Sequence, residues 1–116
     1  MWKTKLCLAT SDQFGMPVAD QIRLFKEIGF DGFFTGWREG DDVGEIRRVA
    51  DETGMYFQSI HAPFGRAADM WKKSHESEIA VNELISCLHD CAENDVPLMV
   101  LHTFKGFEDH DPTEDG

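Results

Sequence analysis

Cysteine is scarce in this chain: Cys7, Cys87 and Cys91 are the only three. An odd number at so low a density does not build the disulfide scaffold of a small secreted domain, and the expected compartment is the reducing cytoplasm. Long apolar runs are lacking too. Leu6 to Ala9 is far shorter than the core of a signal peptide, and no run approaches the roughly 18 apolar residues of a membrane span, so no membrane partner is expected. Positive charge is in short supply, with 11 Lys and Arg against 22 Asp and Glu and a net charge of -11. That balance argues against an electrostatic grip on a phosphate backbone, and no nucleic-acid partner is favoured. Neither a GxGxxG pattern nor a P-loop pattern occurs, so the usual warrants for a nucleotide site are missing. What is there is 116 residues, 41% of them hydrophobic. They suffice for a single domain, 1–116, with a core of its own.

Four apolar runs recur, each followed by a turn and then a helical pattern. The first is Lys5 to Thr10. Pro17 then stands at an expected first helical position, and Val18, Ile22, Phe25 and Ile28 repeat at helical spacing until Gly29. The second run, Phe30 to Thr35, leads to Asp42 and Glu45, which have the three-residue offset of a capping box. Val43, Ile46, Val49 and Ala50 predict the buried stripe of the helix that follows, closed by Gly54. The third run, Met55 to Ile60, ends at His61. Ile79, Leu84, Leu88, Cys91 and Ala92 then predict a longer helix over Ser74 to Glu93. The fourth run, Leu98 to Leu101, ends at His102. Nearly continuous apolar strands alternating with amphipathic helices predict an α/β fold with a parallel sheet covered by helices, because a strand buried on both faces shows no polar alternation.

Glu108 to Gly116 carries five carboxylates in nine residues, which alone would be a solvated tail. Asp111, Pro112 and Glu114 nevertheless combine an N-cap, a proline at the first helical position and an acid at the third. The simplest expectation is that a fourth helix of a longer protein begins there.

Ligands of parallel α/β folds bind at the carboxyl ends of the strands, and the chemistry of this sequence gathers there. His61 and His102 occupy equivalent positions after strands three and four. Such an imidazole can ligate a metal, move a proton, hydrogen-bond a substrate hydroxyl, or merely satisfy a backbone carbonyl. Zinc or manganese would suit if carboxylates joined the histidines. Trp37 and Phe64 either wall a pocket, with their faces against a sugar or base, or act as lids on the core. Arg38 and Arg66 are expected to be solvated or paired with acids, although either could hold an anionic group. Cys87, His89 and Cys91 do not make a metal site, since only the two cysteines share a helix face. Cys7 is expected to be buried, and His75 and His110 to lie at the surface.

Lys5-Leu6-Cys7-Leu8, Gly29-Phe30-Asp31-Gly32, His61-Ala62-Pro63-Phe64 and Leu101-His102 together resemble the sugar phosphate isomerase/epimerase superfamily, the xylose isomerase-like TIM barrels related in fold to endonuclease IV. The resemblance implies the first four units of a (β/α)₈ barrel, C-terminally truncated. It implies a small carbohydrate substrate and an enediolate mechanism assisted by a divalent metal (Mn, Mg, Zn or Co), held by carboxylates and a histidine on the last four strands. His61, His102, Trp37 and Phe64 would then be substrate-binding, with the catalytic residues in the other half, so this chain alone is expected to be inactive. In an endonuclease IV-like zinc phosphodiesterase, the alternative, His61 and His102 would instead be metal ligands. A third possibility is a small α/β interaction module forming a dimer. An unclosed half barrel leaves strands one and four with unpaired edges, through which a homo-oligomer is expected.

Overall fold

A computed structural model describes residues 3–104. The four expected strands form one sheet in the order β1 (Cys7–Ala9), β2 (Gly32–Gly36), β3 (Tyr56–His61) and β4 (Met99–Val100). Every neighbouring pair is parallel. Helices α1 (Val18–Ile28), α2 (Val43–Thr53) and α3 (His75–Glu93) make the crossovers. The α/β class and the parallel β/α units therefore stand as expected.

The local signals explain most boundaries. The Asp42 carboxylate accepts from the Glu45 N–H at 2.9 Å, capping α2. At the other end of α1, Gly29 turns left-handed at φ +112°, a conformation that a side chain would strain. Pro17 sits at the N-cap of α1, one position earlier than expected. Its fixed φ suits either place, and helix ends carry that much latitude.

Ile22 and Phe25 of α1, Val49 and Ala50 of α2, Phe33 of β2 and Phe57 and Ile60 of β3 are buried together. The Phe33 and Phe57 rings stack at 4.6 Å. Burying each such large side chain contributes about 1.5–3 kcal/mol. The register of β2 on β3 slips once: Phe33 faces Phe57, but Phe34 faces Ser59, so Gln58 is an extra residue. Because side chains alternate along a strand, this bulge lets Phe57 and Ile60 both join the core, and the same alternation puts His61 on the side opposite Ile60.

The inward face of α3 differs from the expected one. Ala80, Cys87 and Cys91 are buried, with Leu84 packed beside them, whereas Ile79 and Leu88 are 40% and 54% exposed and Ala92 is exposed. Both faces of this helix are apolar, so periodicity alone does not rank them. The small side chains of Cys87 and Cys91 take the side packed into the core cluster, where close approach favours them. Among the described residues no helix is long and apolar enough to cross a membrane.

Candidate functional site at the carboxyl ends of the strands

The ends of β3 and β4 bring His61 and His102 together. Their Nε2 atoms are 3.1 Å apart and their rings 5.0 Å apart. His61 Nδ1 lies 2.8 Å from the Ala62 carbonyl oxygen. A carbonyl only accepts, so Nδ1 carries a proton, and in the neutral imidazole Nε2 is left as an acceptor. His102 Nε2 then donates to it, which leaves His102 Nδ1 as an acceptor. Phe64, from the loop after β3, packs against both rings at 5.7 and 5.3 Å and remains half-exposed.

Beside the pair, between the carboxyl ends of β1 to β3 and the amino ends of α1 and α2, lies a cleft of about 660 Å³. Its lining includes the Thr10, Ser11 and Thr35 hydroxyls, Trp37, His61 and Phe64. Thr10 Oγ1 donates to Thr35 Oγ1 at 2.6 Å, tying the ends of β1 and β2. Gln21 of α1 is buried; its amide donates to the Ser11 and Met16 carbonyls and its Oε1 accepts from the Ser11 N–H. The wall of the cleft is thus fixed by side-chain bonds between separate elements. Asp12, Asp41, Asp42 and Glu45 contribute four carboxylates to the lining against the single guanidinium of Arg38. Arg38 is itself paired with Asp12.

Trp37 is buried in the core and also lines the cleft. Its Nε1 donates to Asp90 Oδ2 of α3 at 2.7 Å. Arg66 lies 3.9 Å from Glu83, and His75 3.1 Å from Glu78 at the surface. Burial pushes the Cys87 thiol up to about 12, and burial also raises Cys7 and Cys91, so none is poised as a nucleophile. His110 and the helix start expected at Asp111 lie outside the described residues.

Sequence reasoning missed Asp90, Gln21 and Trp71, whose Nε1 donates to the Thr103 carbonyl beside His102 at 2.7 Å. A buried indole needs an acceptor, which gave notice that Trp37 had a partner but not which of many carboxylates it was. A tetrahedral zinc ion holds its nitrogens at about 2.0–2.1 Å, which sets two of them roughly 3.3 Å apart. The two Nε2 atoms match that spacing. Among the described residues, however, no group of three or more His, Cys, Asp or Glu converges. The pair offers two ligands where a structural or catalytic site needs about four positions filled, so these residues alone do not fit a metal.

No family model matches the chain, and no curated protein matches it. Among solved structures, the crystal structure of an AP endonuclease, family 2, from Brucella melitensis superposes with a TM-score of 0.64 at 20% identity. The fold is that of part of a TIM barrel. The superposition takes in 83% of this chain and 40% of that one, so the chain spans well under half the length of the structure it matches. At this identity the likeness extends to the fold alone.

Proposed function

We propose that the chain forms the substrate-binding half of a sugar isomerase or epimerase barrel, and that its substrate is a small unphosphorylated carbohydrate. The observation that carries this is the His61–His102 pair, held at the mouth of the sheet with Phe64 against both rings. The assigned bonds leave His102 Nδ1 as a fixed acceptor for a sugar hydroxyl, and an exposed aromatic ring suits the apolar face of a sugar. The charge of the neighbouring cleft refines the substrate class: four carboxylates against one already paired guanidinium disfavour a phosphate group. A divalent metal, if the complete barrel holds one, would draw its carboxylate ligands from strands beyond β4 and supply Lewis-acid chemistry there. The role of this half is to bind and orient the sugar. The unpaired thiols of Cys7, Cys87 and Cys91 suit a cytoplasmic setting.

Calorimetric titration with an unphosphorylated ketohexose and with its phosphate tests the proposal. Binding of the neutral sugar, weakened up to about tenfold in His61→Ala and in His102→Ala, is expected. Unaltered binding in both variants, or none by the parent chain, contradicts it.

A second reading has one observation in its favour: the superposed structure is that of an AP endonuclease. A zinc phosphodiesterase would retain zinc in a manner that requires both histidines, and would present positive charge to its substrate. The acidic cleft and the net charge of -11 weigh against the latter.

A further inference from the structure

His102 stands beyond the last rung of the sheet. β4 pairs with β3 through Met99 and Val100, and the final ladder bond runs from the Ala62 N–H to the Val100 carbonyl at 2.8 Å. Strand pairing therefore leaves the backbone of Leu101, His102 and Thr103 unfixed, and all three residues are exposed. An exposed imidazole on a loose strand end samples several orientations, and holding it in one costs conformational entropy. The 3.1 Å contact with His61 needs a further support.

The segment between β3 and α3 supplies it. Ala62 and Ala67 anchor that segment by burial, the Ala67 N–H donates to the Phe64 carbonyl at 3.1 Å, and Arg66 lies 3.9 Å from Glu83 of α3. A short helical turn, Ala67–Trp71, then ends at the indole whose Nε1 donates to the Thr103 carbonyl at 2.7 Å. Phe64 of the same segment packs on the His102 ring at 5.3 Å. One anchored segment thus holds the end of β4 at two adjacent residues. Trp71 is 43% exposed, so burial alone does not account for it; its directional feature is the single N–H donor.

We infer that Trp71 is a positioning residue for His102. By fixing the Thr103 carbonyl it holds the imidazole where Nε2 donates to His61, and that bond keeps His102 in the tautomer whose Nδ1 accepts. Trp71 therefore sets the donor and acceptor pattern of the pair through His102, without contact with a ligand of its own. The effect on sugar binding rests on the function proposed above, whereas the effect on the pair does not.

Nitrogen NMR of the full chain at about pH 8, above the usual imidazole range, tests this. The parent is expected to show nitrogen–nitrogen coupling across the His102–His61 hydrogen bond, and slow solvent exchange of the Trp71 indole proton despite its exposed ring. Trp71→Phe keeps an aromatic ring and removes the donor. It is expected to abolish the coupling with unchanged circular dichroism, and to weaken sugar binding up to about tenfold in the parent but no further in His102→Ala. Absence of the coupling in the parent, fast exchange of the indole proton, or a coupling that survives Trp71→Phe overturns the inference. So does additional weakening of sugar binding in the His102→Ala background, which would place Trp71 against the sugar itself. Should Trp71→Phe lose its fold, exchange of the parent's indole proton decides. A chain that binds no sugar, but whose coupling depends on Trp71, contradicts the proposed function and upholds the positioning role.

Discussion

His61 and His102 stand with their Nε2 atoms 3.1 Å apart although 41 positions separate them in the chain. Each is placed by the end of its own strand, and alternation along β3 puts the His61 side chain on the side opposite Ile60. Neither ring is part of the buried core. His61→Ala and His102→Ala are therefore expected to shift the urea midpoint by no more than about 1 kcal/mol of stability. Cooperative loss of structure in either would assign the pair a structural role instead.

Asp90→Ala should be more harmful. It leaves the buried Trp37 Nε1–H without its 2.7 Å acceptor, which is expected to lower stability by about 1.5–3 kcal/mol. Tryptophan emission and urea unfolding report it, and a stability equal to that of the parent would remove Asp90 from the account.

Gly32 is in β2 because nothing larger fits. A Cβ there would collide with the Tyr56 carbonyl oxygen and lie 2.9 Å from Cys7 Sγ, whereas one at Gly36 would meet nothing within 4 Å. Gly32→Ala is expected to destabilise by about 1–3 kcal/mol and Gly36→Ala by no more than about 0.5 kcal/mol, as measured by thermal melting. Equal effects at the two positions would contradict the packing described for β1, β2 and β3.

The Cys87 thiol supplies a test by pH. Burial, reinforced by Cys91, raises it from 9.0 to about 12 in the folded chain. A raised thiol favours folding while it stays protonated, so its contribution is complete below about pH 9 and is lost as the pH climbs towards about 12. Between about pH 8 and about pH 10.5 the parent chain should lose more stability than Cys87→Ala does. Identical slopes would show that this thiol is not held in the core.

The sheet was legible because buried parallel strands are written as short apolar runs, and Asp42, Gly29 and Gly54 mark helix ends by backbone chemistry that needs no distant partner. The inner face of α3 was not, since Ile79 and Leu88 are as apolar as the residues that are buried. His61 and His102 could be placed at strand ends from sequence, but their contact depends on the register of β4 against β3, which no local pattern announces. The Trp37–Asp90 bond was equally hidden, because one indole among many carboxylates does not name its partner.

The central claim is that the His61–His102 pair binds a neutral sugar. Imidazole nitrogen resonances of both residues, followed by NMR as an unphosphorylated ketohexose is added, test it most directly. The account predicts that both rings shift together along one saturable curve, and that the corresponding sugar phosphate produces a weaker response. Resonances that stay fixed while sugar binds elsewhere, or a stronger response to the phosphate, would contradict it.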